Sequence, residues 1–66
     1  MLTERDVVRV LAERVEAAGG ARAFARKHRM SHQYVSIVLD GTQKPGPKID
    51  RALKLRRVET VGWEAA

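Results

Sequence analysis

Two histidines, His28 and His32, lie four residues apart in the basic stretch ARKHRMSHQYVS. Imidazoles at this spacing can share a metal ion on one continuous helix, but Ser31 is a typical helix N-cap and predicts a helix boundary between them. The chain has no cysteine, and the nearest carboxylate is Asp40. We therefore expect no metal and no cofactor. His28 is expected to be either the half-buried end of one helix or a phosphate neighbour, and His32 begins the next helix.

The helix that follows Ser31 has two chemically different sides. At about 100° per residue, its mixed side covers an arc of roughly 140° and consists of His32, Gln33, Ser36 and Ile37. The apolar side consists of Val35, Val38 and Leu39, with Tyr34 at the boundary. Gln can hydrogen-bond adenine at two atoms, His or Ser can meet an acceptor, and Ile can touch a thymine methyl group. The mixed side is therefore a candidate base-reading surface, although solvated polar positions on an ordinary helix would show the same composition.

No catalytic arrangement emerges from the chain. Ser31 and Ser36 lie near the histidines, but neither a nucleophile elbow nor an oxyanion loop accompanies them, and no glycine-rich phosphate loop is present. A chain of 66 residues also has little room for a deep cleft. We expect a protein that is not an enzyme and has no small-molecule substrate.

The charge distribution indicates a polyanionic partner. Residues 20–57 carry ten basic and two acidic side chains, a net +8, while residues 1–19 carry −1 and residues 58–66 carry −2, which returns the overall +5. Such a concentration is typical of surfaces that bind nucleic acid, although a basic face can also serve solubility. No apolar run approaches the roughly 20 residues of a membrane span, and the start MLTERDVV is too charged for a secretory signal. The expected location is cytoplasmic and nucleoid-associated, without membrane contact.

Helix start and stop signals predict four helices. Thr3 and Asp6 form a capping box for the first, which ends at the pair Gly19-Gly20. The second covers about 21–28 and the third 32–39, where Asp40-Gly41 stops it; Pro47 suits the first position of the fourth.

The C-terminal stretch RRVETVGWEAA favours extended structure instead of helix. A lone strand is not stable by itself. Either it pairs with the same strand of a second subunit, or the last four residues are disordered. The candidate dimer interface consists of Val58, Val61 and Trp63. Trp63 is expected to be an interface anchor or an exposed end.

Residues 20–57 resemble the phage-repressor and Cro-like helix-turn-helix regulators, a lambda-repressor-like, XRE-type family. The resemblance is carried by Ala25 where two helices cross, by apolar Phe24, Met30, Val35 and Val38, by the ending YVSIVLDG, and by a proline-led helix closing in ALKL. It implies an all-α fold of four to five helices, possessing a helix-turn-helix unit at about 21–40 within a domain of residues 1–57, followed by a tail of residues 58–66. In that family the helix equivalent to 32–39 enters the major groove and the preceding helix crosses the phosphate backbone.

Three positions depart from the family pattern. Arg29 stands in the sharp turn where the family usually has glycine, and it would be strained by roughly 1 kcal/mol if its φ is positive. Lys54 stands where the following helix often ends in glycine. Ala21 replaces a glutamine that often grips a phosphate, so that Arg22 or free backbone N–H groups would have to serve.

Together these observations predict a sequence-specific DNA-binding regulator, of the phage or mobile-element repressor kind, acting as a homodimer on double-stranded DNA. The expected phosphate contacts are Arg22, Lys27, Tyr34, Thr42, Gln43, Lys44 and Lys48. Tyr34 has the alternative role of completing the core. Two rival functions remain. One is an antitoxin-like or adaptor module whose partner binds the tail or the first helix, with truncation at Arg57 abolishing that binding and leaving the fold intact. The other is a nonspecific architectural DNA-binding protein that uses charge alone.

Overall fold

The computed structural model describes residues 2–58 and 62–65, which form a small, mostly helical domain with a two-stranded sheet. The elements in chain order are α1 (Glu4–Ala18), α2 (Ala21–Lys27), α3 (His32–Leu39), α4 (Pro47–Ala52), β1 (Leu55–Val58) and β2 (Gly62–Ala65). The four helices predicted from the sequence are confirmed. The all-α expectation is wrong in one respect, because the C-terminal stretch forms an antiparallel hairpin.

The ends of α1 follow from local hydrogen bonding. The Thr3 hydroxyl accepts a hydrogen bond from the Asp6 N–H at 3.2 Å, and an Asp6 carboxylate oxygen accepts one from the Thr3 N–H at 3.0 Å. This reciprocal pair satisfies two N–H groups at the start of the helix. The backbone hydrogen bond from Thr3, followed by that from its hydroxyl, lowers the pKa of Asp6. Gly19, with φ 99°, ends the helix in the left-handed conformation.

Every helix, together with β2, contributes to one core. Its ten buried apolar residues are Val7, Leu11 and Val15 of α1, Phe24 and Ala25 of α2, Val35 and Val38 of α3, Ile49 and Leu53 at α4, and Trp63 of β2. Burying one such large aliphatic or aromatic side chain contributes about 1.5–3 kcal/mol. Because a chain of this size has few of them, each of these buried side chains is a large share of what holds the helices together.

The C-terminal stretch finds its strand partner within the same chain. β1 and β2 pair so that Leu55 lies opposite Ala65, and Arg56 forms an ion pair with Glu64 across the strands. On the other edge of β2, the Leu2 N–H donates to the Trp63 carbonyl at 2.7 Å and the Trp63 N–H donates to the Leu2 carbonyl at 2.9 Å. The expectation of a strand partner in a second subunit, or of disorder after residue 62, is therefore wrong for β2, because both of its edges are hydrogen-bonded inside the chain.

Trp63 fastens this hairpin to α4. Its side chain is only 8% exposed, and its indole N–H donates to a carboxylate oxygen of the buried Asp50 at 2.8 Å. The predicted roles of Trp63 as an interface anchor or an exposed end are both wrong, because the ring belongs to the core. Val58 is half-buried, and Val61, the third residue of the candidate dimer interface, lies outside the described residues. Truncation at Arg57 would remove core structure, so the hairpin is not a separable tail.

Candidate nucleic-acid interface

α2 and α3 are joined by a tight turn whose centre is Arg29. The Arg29 N–H donates to the Arg26 carbonyl at 3.3 Å, and the Met30 N–H donates to the Ala25 carbonyl at 2.9 Å. This pair of bonds is the Schellman motif, which requires a left-handed residue just after the helix cap and usually has glycine there. Arg29 adopts that conformation with φ 57°. The condition under which Arg29 would be strained, a positive φ, is therefore met, and Lys54 after α4 also has a positive φ, of 58°.

Ser31 sets the start of α3. Its hydroxyl oxygen accepts hydrogen bonds from the backbone N–H groups of Gln33 at 3.1 Å and Tyr34 at 3.5 Å, as an N-cap does. The same hydroxyl donates to the Gln33 side-chain carbonyl at 3.4 Å, and Gln33 is exposed. Two-atom recognition of adenine would require this carbonyl oxygen to leave Ser31. A long, solvent-exposed bond is weak enough to be exchanged for one to a base.

The two sides of α3 differ in burial in the sense that the sequence predicts, although Leu39 of the apolar side is only half-buried. Val35 and Val38 are fully buried against the rest of the core. On the mixed side Gln33 is exposed, and the other three residues are half-buried: His32, Ser36 and Ile37. The helix therefore presents a surface of mixed chemistry on which Gln33 is the exposed residue. Val35 and Val38 pack the opposite side of the helix into the core.

Tyr34 connects α3 to the loop before α4. The Gly46 N–H donates a hydrogen bond to the Tyr34 hydroxyl oxygen at 2.9 Å, and the ring is half-buried against the core. A Cβ atom at Gly46 would lie 2.6 Å from that oxygen, so any larger residue would have to displace the Tyr34 hydroxyl. Because the oxygen accepts this bond, the hydroxyl hydrogen can still be donated to an acceptor such as a phosphate oxygen. Both roles considered for Tyr34, core packing and phosphate contact, are compatible with this geometry.

The loop after α3 folds back onto the end of that helix. The N–H groups of Thr42 and Gln43 both donate to the Ile37 carbonyl, at 3.1 and 3.4 Å. The side chains of Thr42, Gln43 and Lys44 are exposed. Three of the predicted phosphate contacts are thereby placed beside the C-terminal end of the candidate reading helix.

The remaining predicted phosphate contacts lie elsewhere. Arg22 is exposed in the first turn of α2, and Lys27 is exposed at its last residue. Lys48 lines one surface cleft and Lys27 lines another, and His28 lines both. No residue of α3 lines either cleft. The structure thus groups Tyr34 and the loop with the reading helix, and groups Lys27 and Lys48 with a different part of the surface.

His28 has the half-buried position predicted as one of its two roles. Its ring packs against Phe24 with the centroids 4.5 Å apart. In the described part of the chain, no group of three His, Asp or Glu side chains is close enough to hold a metal ion. The reasoning from sequence did not single out Arg51, which lines a cleft with His28 and Arg29. The spacing of Lys48, Arg51 and Ala52 on one face of the proline-led helix was the signal that could have found it.

Comparison of the chain with protein-family models, with curated proteins and with solved structures found no match. No helix within residues 2–58 and 62–65 is long and apolar enough to cross a membrane.

Proposed function

We propose that this protein is a sequence-specific DNA-binding transcriptional regulator that uses α2 and α3 as a lambda-repressor-like helix-turn-helix unit. The observation that carries the proposal is the geometry of that unit. A helix of seven residues ends in a Schellman turn with a left-handed Arg29, and Ser31 then caps a second short helix. Val35 and Val38 anchor that second helix so that its mixed side faces outward. A rigid, short helix with exposed hydrogen-bonding side chains has the size and chemistry that the major groove admits.

In this proposal α3 supplies sequence discrimination. Gln33, the most exposed residue of the mixed side, reads adenine, while His32 and Ser36 meet other base edges and Ile37 contacts a thymine methyl group. Each good two-atom contact discriminates by about 1–3 kcal/mol. The phosphate contacts come from Arg22, Lys27, Tyr34, Thr42, Gln43, Lys44 and Lys48, and they give affinity that falls with salt.

The proposal includes a homodimer acting as a repressor of the phage or mobile-element kind, which blocks transcription by occupying the operator. A single module of this size reads only a few base pairs, and two half-sites about 34 Å apart would give useful specificity. Because Trp63 is buried inside its own chain, the dimer would have to use another surface. Val58 lies half-buried in β1, whose outer edge pairs with no other strand among the described residues. Sedimentation of the purified protein measures its mass directly, and a monomer with DNA bound would contradict this part of the proposal.

Selection of binding sites from a random duplex library, near physiological salt, tests the central claim. An enriched inverted repeat is expected. Gln33→Ala should then lose preference at one base position per half-site, whereas the matched variant Gln43→Ala should weaken binding to all sequences alike, because Gln43 lies in the loop and Gln33 on the reading side of α3. An unchanged site preference in Gln33→Ala would show that α3 does not read bases through this residue.

The same selection, together with the affinity for unselected duplexes, separates the rival functions. A nonspecific architectural protein would enrich no motif, and removing Lys44 and Lys48 would weaken binding to every duplex equally. An antitoxin-like or adaptor module would enrich no motif and would bind duplexes only weakly, with its affinity directed at a protein partner.

A further inference from the structure

Two surface clefts adjoin each other on a face that α3 does not line. The first, of about 320 Å³, lies between the α2–α3 turn and α4. The second, of about 370 Å³, lies among the end of α1, α2 and the segment after α4. Both are lined by His28 and Ala52, so they meet there. We call the combined surface the basic groove.

Among the residues that the structure describes, the lining of the basic groove contains six cationic side chains and no carboxylate. Its cations are Arg14, Lys27, Arg29, Lys48, Arg51 and Lys54. Among residues 2–58 and 62–65, the ion pairs are Arg9 with Asp6 and Arg56 with Glu64, and neither involves a cation of the groove. The carboxylate of Asp50, next to Arg51 in the chain, accepts from the Trp63 indole and lines neither cleft. Cations gathered in this way repel one another, and an anionic ligand would relieve that repulsion.

The backbone supplies an independent observation. Within the described chain, Arg29 and Lys54 are the residues other than glycine that have a positive φ. Both are cations, and each lines one of the two clefts of the basic groove, Arg29 the first and Lys54 the second. Glycine would adopt either conformation without strain. Strained residues of this kind concentrate at functional sites, where the side chain is needed despite the unfavourable backbone.

We propose that the basic groove binds the phosphate groups of a ligand that carries at least two of them. Arg29 and Arg51 share the first cleft, and guanidinium groups can each donate two parallel hydrogen bonds to a phosphate. Each cleft has a volume in the range of about 300–1,000 Å³ that ligand sites occupy. The phosphates come from one of two sources: the DNA backbone beyond the bases that α3 reads, or a free polyphosphorylated small molecule. Since α3 lines neither cleft, the site does not depend on base reading.

Titration of the full chain with inorganic tripolyphosphate, followed by amide NMR, tests the site. The largest shifts are expected at His28, Arg29, Arg51 and Lys54. Arg29→Gly and Arg51→Gln should each weaken binding about tenfold, as loss of a charge-assisted contact does. The matched control Arg5→Gln removes an exposed cation of α1 that lines neither cleft, and it should bind as the wild type does. Shifts spread evenly over all cations, or equal affinities of Arg29→Gly and Arg5→Gln, would overturn the proposal.

Loss of binding in Arg29→Gly cannot be ascribed to unfolding, because glycine relieves strain at this position. A second titration in the presence of a saturating DNA duplex distinguishes the two sources. Competition between tripolyphosphate and the duplex, with DNA-induced shifts at the groove, assigns the phosphates to the DNA backbone. Simultaneous binding assigns them to a free ligand. If tripolyphosphate does not bind the basic groove, an enriched DNA motif would still support the proposed function. If no DNA motif is enriched, tripolyphosphate binding would still support the groove.

Discussion

Replacing Arg29 with glycine should stabilise the protein, even though it removes a side chain of the helix-turn-helix turn. The left-handed conformation at φ 57° disfavours a residue with a Cβ by about 1–2 kcal/mol. Glycine escapes that strain but has more conformational freedom to lose on folding, which offsets about 0.5–1 kcal/mol. The net gain in the free energy of unfolding is therefore about 0.5–1 kcal/mol. For a domain of this size, that corresponds to a rise in Tm of about 2–8 °C.

Urea denaturation followed by circular dichroism and by the fluorescence of Trp63, the single tryptophan, measures the change. Trp63 is buried and hydrogen-bonded, so its emission reports on docking of the hairpin, while circular dichroism reports on the helices. Coincident transitions would support two-state unfolding. We expect the midpoint to rise in Arg29→Gly and the slope with urea concentration to stay the same, since the surface exposed on unfolding hardly changes.

Two control variants separate backbone strain from side-chain effects. Arg29→Ala removes the same charge but keeps the Cβ, so it should stay less stable than Arg29→Gly by about 0.5–1 kcal/mol. Arg26→Gly, in the helical part of α2, should lose about 1 kcal/mol because glycine is a poor helix former. If Arg29→Gly is no more stable than Arg29→Ala, the left-handed turn is not the source of the effect and the reasoning fails.

Three further changes test other contacts of the fold. Gly46→Ala should lower the free energy of unfolding by about 1–3 kcal/mol, because its Cβ would lie 2.6 Å from the Tyr34 hydroxyl oxygen, as measured by urea denaturation. Asp50→Ala should lower it by about 1–3 kcal/mol, because the buried Trp63 indole loses its acceptor, and Trp63 emission should shift to the red. Hydrogen bonds from the N-cap residue Thr3 lower the pKa of Asp6 in the folded protein. The contribution of Asp6 to stability is therefore present above the unfolded pKa and is lost as the pH falls through the folded pKa. The free energy of unfolding, measured as a function of pH on the acid side, tests this.

Each of these changes has its own control. Tyr34→Phe removes the hydroxyl, so the loss caused by Gly46→Ala should become smaller in that background, and equal losses in both backgrounds would contradict the contact. Asp40→Ala removes an exposed carboxylate instead of the buried one, and an effect as large as that of Asp50→Ala would refute the role of the indole hydrogen bond. Asp6→Asn should flatten part of the acid limb; an unchanged limb would show that the cap does not titrate.

The boundaries of the helices were readable from the residues alone because the interactions that set them are local. The Thr3 and Asp6 cap, the Ser31 cap and the proline at the start of α4 each act within about one helical turn. The two sides of α3 follow from helical periodicity for the same reason. The left-handed turn at Arg29 was left open by the sequence, because a Schellman motif usually has glycine at that position and arginine gives no local signal for it.

Contacts between residues far apart in the chain could not be predicted from such local patterns. The Tyr34 hydroxyl meets Gly46 twelve residues away, and the Trp63 indole meets Asp50 thirteen residues away. Neither partner carries a local signal, because a hydrogen bond across the fold depends on how the helices are placed. The C-terminal stretch could not be assigned for that reason: its strand propensity was evident, but its partners depended on the antiparallel register of β1 and β2 and on Leu2 reaching the edge of β2. The basic groove likewise depends on tertiary packing, because its cations come from α1, from α2 and the turn after it, and from α4 and the segment after it.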